Sequence, residues 1–265
     1  MENKKIAIIG CGNLGLSILN GILTEKSVSP TNIIVTKRNI HALEHLKESG
    51  VQVMSDNIYA VQNAEIIIIA LKPYNILEVL KELQAYFNPK KHIIVSLATG
   101  ISLAQIQEVI NSPTPLFRAM PNTAADVGMS MTCVSSITDD KAAREAIKLC
   151  FNTIGNTIFI EEDLMDSATV LGACGIAYVL RFIRGMIQGG IQIGFDAKTA
   201  SDIVTHTVKG AAELLIQRKE HPEYEIDKVT TPKGCTIAGL NEMEHNGFSS
   251  ALIKGIVTSF DKIEK

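Results

Sequence analysis

No C-x-x-C pair occurs in this sequence, and its five cysteines, Cys11, Cys133, Cys150, Cys174 and Cys235, are odd in number and widely scattered. That pattern signals neither a disulfide framework nor a zinc site, and it points to a reduced, cytoplasmic chain. There is no long basic run and the formal charge is only −3. A surface built for nucleic acid or for an anionic membrane is therefore not expected. The one small cluster, Lys90-Lys91-His92, reads as a solvated loop. No uninterrupted apolar run nears the roughly 18 residues of a membrane span. The strongest is Ile66 to Leu71, and Met1-Glu-Asn-Lys-Lys5 runs straight into a strand pattern without an apolar leader. No targeting or anchoring is expected. Of six histidines only His41 and His45 stand at helical spacing, with no acidic third ligand at a matching interval. They read as exposed helix surface, and no metal is expected.

What is present is an ordinary globular composition, 46% hydrophobic and 20% charged, long enough for one large domain or two modest ones. Over residues 1–160 strand and helix patterns alternate. Strands are expected at 6–9, 33–36, 51–53, 66–70, 93–97 and 116–119, and helices at 13–23, 40–49, 74–86 and 103–110. Strands that are apolar throughout and separated by amphipathic helices imply a mainly parallel, doubly wound sheet covered on both faces. Segments 129–135, 140–151 and 157–160 extend its edge, with antiparallel pairing allowed. Over residues 161–265 strand signals vanish and helices are expected at 177–189, 197–218 and 247–261. These helices carry apolar and small residues around much of their circumference, and too little chain is left to cover them. A homodimer built through this domain is expected, with dimers free to assemble further.

Ile8-Ile-Gly-Cys-Gly-Asn-Leu-Gly15 follows the first strand and opens a helix, giving G-x-G-x-x-G at Gly10, Gly12 and Gly15. Gly10 permits the tight turn, Gly12 lets backbone approach a pyrophosphate, and Gly15 lets helix and strand pack. Cys11 reads as a small residue filling that turn. At the end of the second strand, Val35-Thr-Lys-Arg-Asn39 offers two cations where a carboxylate would hold an unphosphorylated ribose. Lys37 and Arg38 suit a 2′-phosphate, so NADP(H) is favoured over NAD(H).

Five segments carry a resemblance: Gly10-Cys-Gly-Asn-Leu-Gly15, Asn57 with Ala70-Leu-Lys-Pro73, Arg118-Ala-Met-Pro-Asn-Thr123, Glu161-Glu-Asp-Leu-Met-Asp166, and Pro232-Lys-Gly-Cys-Thr-Ile-Ala-Gly239. Through them the chain resembles the pyrroline-5-carboxylate reductase family, essentially from end to end. The resemblance implies a Rossmann-like NADP-binding domain followed by an all-helical substrate-binding and dimerisation domain. The implied reaction is the NADPH-dependent reduction of 1-pyrroline-5-carboxylate to L-proline, the last step of proline biosynthesis. It implies that Gly10, Cys11, Gly12, Asn13, Leu14 and Gly15 line the cofactor, with Asn57 near the adenosine ribose. Ala70, Lys72 and Pro73 fall on the nicotinamide side, and Ala98 and Asn122 also border the cofactor. Glu162, Thr231, Cys235 and Thr236 fall around the substrate.

The chain departs from the family's usual pattern in three places. Gly172-Ala-Cys-Gly-Ile-Ala-Tyr178 stands where Ser-Gly-Ser-Gly-Pro-Ala-Tyr is usual, Arg184 and Gln188 stand where acidic residues are common, and Pro232-Lys233-Gly234 replaces Pro-Gly-Gly. These changes bear on substrate size and subunit contacts. Reduction of a cyclic imine needs a hydride, a hydrogen-bond partner at the ring nitrogen and an anchor for the carboxylate. Free N–H groups from Lys233 through Gly234 and Cys235 to Thr236 form a carboxylate site at a helix start, and the Thr236 hydroxyl can reach the ring nitrogen. Thr236 is the expected catalytic residue, beside a cofactor held by the first domain. An iminium can arrive already protonated, so no strong base is required. Two other readings fit the same residues: a related imine or short-chain oxidoreductase with another substrate, and a non-catalytic dinucleotide-binding homologue.

Overall fold

Four isoleucines in succession, Ile66–Ile69, form a strand with every side chain buried, as do Ile6–Ile9 and Ile33–Thr36. Strands covered on both faces show continuous apolar runs in place of alternation. The computed structural model describes residues 3–263; Met1 and Glu2, the head of the run read above as leading into a strand, lie outside the described residues. Eight strands form one sheet: β1 (Ile6–Ile9), β2 (Ile33–Thr36), β3 (Gln52–Met54), β4 (Ile66–Ile69), β5 (Ile93–Ser96), β6 (Leu116–Met120), β7 (Ser130–Ser136) and β8 (Gly155–Phe159). Their order is β3-β2-β1-β4-β5-β6-β7-β8. The first six are parallel, β7 is antiparallel to β6, and β8 is parallel to β7. The doubly wound sheet and its antiparallel extension are therefore as expected.

Helices α1 (Asn13–Thr24), α2 (Asn57–Gln62), α3 (Pro73–Leu83), α4 (Leu103–Ile110) and α5 (Lys141–Asn152) flank the sheet. They enclose two apolar clusters. One gathers Ile8, Ile18, Leu19, Phe117 and Phe151, the other Ile9, Ile67, Ile76, Leu80 and Ile106. Residues 40–49 form a 3-10 helix where an α-helix was expected, with Leu43 and Leu46 its buried residues. Their spacing of three matches the tighter turn, and Gly50 at φ 92 ends it. The six-residue α2 escaped the periodicity reading because it is under two turns long; Asp56 caps it by accepting the Tyr59 N–H.

His92 corrects the reading of Lys90-Lys91-His92 as a solvated loop. The two lysines are exposed but the imidazole is buried, edge-on to Phe87, with Nδ1 accepting the Asn88 N–H at 3.1 Å. Burial, and after it the Lys91 charge, push its pKa down to about 4. The folded state thus favours neutral imidazole. Its contribution is present above the ordinary histidine value and is lost as pH falls toward 4. Urea melts at pH 5 should show stability lower by on the order of 2 kcal/mol than at pH 7, and His92→Gln should flatten that slope.

The chain divides into two compact units, the first running to Ala173 and the second spanning Cys174–Ile263. This boundary lies beyond the 160/161 division expected from the end of the strand signals. Residues after β8 pass through a 3-10 turn, Glu162–Leu164, the short α6 (Met165–Ala168) and a π-helical turn, Thr169–Cys174. Met165, Thr169 and Val170 are buried, and Glu162 is tied to the sheet, so this stretch packs with the first unit. The tie is long-range and leaves no local mark in the sequence.

The second unit is all helical: α7 (Gly175–Gln192), α8 (Ala197–Arg218), α9 (Pro222–Val229), α10 (Cys235–His245) and α11 (Phe248–Ile263). Gly190 lets α7 approach α8, since a Cβ there would sit 3.1 Å from that of Ala200. Tyr178 and Ser259 hydroxyls bond at 2.6 Å, and Phe182 meets Phe248 with ring centroids 6.0 Å apart. Among its described residues only Ala200 and Val204 are buried. Leu180, Ile193, Ile216 and Ile253 are each more than half exposed, at 58%, 79%, 66% and 61%. The stretch Glu162–Gln192 is, by length and composition alone, long and apolar enough to cross a membrane. Arg181, Arg184 and several glycines interrupt it, so it contains no long uninterrupted apolar run.

Candidate active site

The carboxyl ends of the parallel strands carry the residues expected at a dinucleotide. The strand order reverses at β1, which lies between β2 and β4, and in such sheets ligands bind outside that switch point. The three glycines perform three separable tasks. Gly10 has φ 80, and a Cβ there would strike Leu71 Cδ2 at 2.3 Å. At Gly15 a Cβ would sit 3.1 Å from Ile8 and 3.4 Å from the Cys11 sulfur, the contact that packs α1 on β1. At Gly12 it would meet nothing nearer than the Gly10 carbonyl oxygen at 3.9 Å. Protein packing does not demand glycine there, so the open flank is room for a ligand.

The turn is fixed from the side. Gly10 and Cys11 donate their N–H groups to the Thr36 carbonyl at 3.1 and 2.8 Å, which ties the cradle to the end of β2. Cys11 is fully buried and burial pushes its thiol up to about 11, partly offset by the Lys37 charge. It therefore fills the turn and stays protonated. Gly12 caps α1 without a side-chain bond, and no acidic side chain lies in the first turn. The backbone N–H groups of Asn13, Leu14 and Gly15 begin the helix unneutralised, the arrangement that receives a phosphate. These features fit a dinucleotide. Directly after Thr36, Lys37 is half-buried with its N–H bonded to the Met54 carbonyl, and Arg38 is exposed with no side-chain bond among the described residues.

The remaining cofactor candidates follow strands β3 to β6. Asn57 opens α2. Ala70, its N–H on the Ile9 carbonyl at 2.8 Å, stands beside Gly10, and Lys72 and Pro73 cap and open α3. Ala98 is buried after β5, its N–H on the Ser96 hydroxyl. Asn122 is buried after β6, and its side chain is already engaged: Oδ1 accepts the Ala124 N–H and Nδ2 donates to the Gly172 carbonyl at 3.2 Å. It shapes the edge as a cap.

Glu162 does not stand free for a substrate. Oε1 accepts from Arg118 Nη1 and from the Leu103 N–H, each at 3.0 Å, and Oε2 accepts the Ser135 hydroxyl. Arg118, 4% exposed, also donates Nη2 to Asp166 Oδ1 at 3.2 Å. Ser135 received no role from the sequence, and Arg118 and Asp166 entered only as members of segments that carry the resemblance. The available signal was an arginine in the middle of the strand Leu-Phe-Arg-Ala-Met, since a buried guanidinium requires carboxylate partners.

In the second unit, Thr231-Pro232-Lys233-Gly234 makes a tight turn, with the Gly234 N–H on the Thr231 carbonyl at 2.9 Å and Lys233 at φ 62. Proline at the second position and positive φ at the third define a type II turn, which favours glycine third. Lys233 thus holds a left-handed conformation at a cost of about 1–2 kcal/mol. Gly234 fits this close turn, because a Cβ there would lie 2.6 Å from the Thr231 hydroxyl oxygen and 3.0 Å from its carbonyl oxygen. The expected row of free N–H groups is one shorter than read, since that of Gly234 is occupied. Cys235 and Thr236 are exposed and begin α10, whose start no side chain caps. Their N–H groups and the Thr236 hydroxyl are the donors left at this turn. Among the described residues all five cysteines are free and no group of three or more metal-ligating side chains occurs.

Two family descriptions match the chain. Residues 5–100 match "NADP oxidoreductase coenzyme F420-dependent", and residues 162–265 match "Pyrroline-5-carboxylate reductase dimerisation". The second makes the helical unit a homo-oligomerisation domain. Pyrroline-5-carboxylate reductase 1 of Dictyostelium discoideum is 45% identical over 99% of this chain, which spans only 50% of that protein's length. Pyrroline-5-carboxylate reductase 2 of the same organism is 42% identical over 100% of this chain and 93% of its own. Among solved structures, the Plasmodium falciparum pyrroline carboxylate reductase with NADP bound superposes with a TM-score of 0.87 at 25% identity, covering 99% of this chain and 98% of that one.

Proposed function

The chain belongs to the pyrroline-5-carboxylate reductase family, and from that premise we propose how it reduces 1-pyrroline-5-carboxylate to L-proline. The observation that carries the reading is the cradle at Gly10, Gly12 and Gly15, where only Gly12 owes nothing to protein packing. A nicotinamide dinucleotide bound there supplies the hydride. Asn13, Leu14 and Gly15 hold its pyrophosphate, and Lys37 and Arg38 hold a 2′-phosphate, which makes NADPH the preferred form. The backbone N–H groups of Cys235 and Thr236 bind the substrate carboxylate, with Thr231 and Gly234 shaping the turn that presents them. The Thr236 hydroxyl accepts from the protonated ring nitrogen and donates to the amine that replaces it. No side chain has to remove a proton before reduction, in keeping with a loop that holds neither carboxylate nor histidine.

The helical unit forms a homodimer, and its exposed apolar faces, including that of α7, are covered by a second subunit and not by lipid. The free thiols suit the cytoplasm. The test is spectrophotometric: purified protein should consume NADPH only when the pyrroline is present, and failure where a control reductase succeeds would refute the assignment. A panel of other cyclic imines separates it from a related imine reductase. In the same assay Arg38→Ala should weaken NADPH by about 1.5–3 kcal/mol, the worth of a charged hydrogen bond, and leave NADH nearly unchanged. Equal losses with both cofactors would remove Arg38 from the 2′-phosphate site.

A further inference from the structure

Glu162 and Arg118 sit at the centre of a network that reaches four elements: β6, β7, the start of α4, and α6. Three of the roughly four acceptor positions of the Glu162 carboxylate are filled, which leaves little to offer a substrate. The donor that matters is the Leu103 N–H, because Leu103 is the first residue of α4 and the far end of the loop that leaves β5 at Ala98. That loop is pinned at its near end by the Ala98 N–H on the Ser96 hydroxyl and at its far end by the reciprocal Ser102–Gln105 cap. Glu162 adds a charged acceptor to that far end and is itself held by the buried guanidinium. Arg118 Nε is also buried, with no acceptor among the described residues. A guanidinium already one acceptor short depends heavily on its two carboxylates.

We infer that Glu162 and Arg118 are positioning residues for the cofactor, holding loop 98–103 in place at the carboxyl edge of the sheet, and that Glu162 does not touch the substrate. The inference rests on the reading that this edge holds a nicotinamide dinucleotide. Ser135 extends it: buried in β7, its hydroxyl steadies the second Glu162 oxygen and contacts no ligand directly.

The discriminating measurement is NADPH affinity in the absence of substrate, followed by fluorescence titration of the full-length protein. Glu162→Gln keeps an oxygen for Leu103 but loses the charge opposite Arg118, so the NADPH Kd should rise by about tenfold through misplacement of the loop. Ser135→Ala should raise it in the same direction by a smaller factor. At saturating NADPH the KM for the pyrroline should stay within about twofold of wild type, since a positioning group acts on the cofactor alone. A wild-type NADPH Kd together with a raised pyrroline KM in Glu162→Gln would overturn the inference and restore a direct substrate contact. If Glu162→Gln does not fold, an unchanged NADPH Kd in Ser135→Ala overturns it equally. A wild-type protein that binds no NADPH would overturn both this inference and the reading beneath it.

Discussion

Thr236→Ala should lower turnover by roughly 1.5–4 kcal/mol, about ten- to a thousand-fold, while the NADPH Kd stays near wild type. The separation follows from where the residue stands. Thr236 is the second residue of α10, exposed, in a unit distinct from the one that carries the glycine cradle. Alanine removes the hydroxyl proposed to meet the ring nitrogen, keeps the backbone N–H groups proposed to anchor the carboxylate, and is a good helix former. Loss of kcat with little change in cofactor binding is the signature of a contact made in the transition state. Thr236→Ser, which keeps the hydroxyl, should recover much of the rate. An alanine variant that turns over like wild type would reduce the loop to a helix cap.

A second large effect is expected at the helical faces. Combining Leu180→Glu with Ile253→Glu should dissociate the assembly and lower the thermal stability of the helical unit. Each large apolar side chain is worth about 1.5–3 kcal/mol on burial, and an unpaired carboxylate in its place costs more. Loss of two such contacts raises the dissociation constant by at least about a hundredfold. Analytical ultracentrifugation over a concentration series reads the result directly. An unchanged mass at low micromolar protein would move the subunit contact to another face.

The centre of the sheet was legible because β1, β2, β4 and β5 are mostly isoleucine and valine and need no tertiary information to be found. Helix α4 and helix α8 were found to the residue, each marked by an N-cap, Ser102 or Asp196, ahead of a periodic apolar stripe. In the cradle, the tight turn at Gly10 and the helix–strand packing at Gly15 were legible from their spacing. Legibility failed where the deciding contact is distant in sequence. The Glu162 network has no local mark, because its partners Leu103, Arg118 and Ser135 lie 59, 44 and 27 residues away. The Asn122 amide is likewise engaged at a distance, by the Gly172 carbonyl fifty residues on. His92 sits beside two lysines and was read with them, although its ring turns inward while both lysines are exposed.

A helical unit in which, among the described residues, only Ala200 and Val204 are buried has consequences when two kinds of chain are made together. Each needs another chain to cover it, so subunits recruit whichever neighbour is folding nearby. With equal amounts of an intact chain and one altered at Thr236, random pairing puts about half of all dimers into a mixed form. A loop defect that leaves the helical faces untouched would thus travel into assemblies with normal chains, and purification through a tag on the altered chain would bring its intact partners along. A defect in the faces themselves would do the opposite: the altered chain would be excluded from assembly, left half-covered, and cleared before it could interfere.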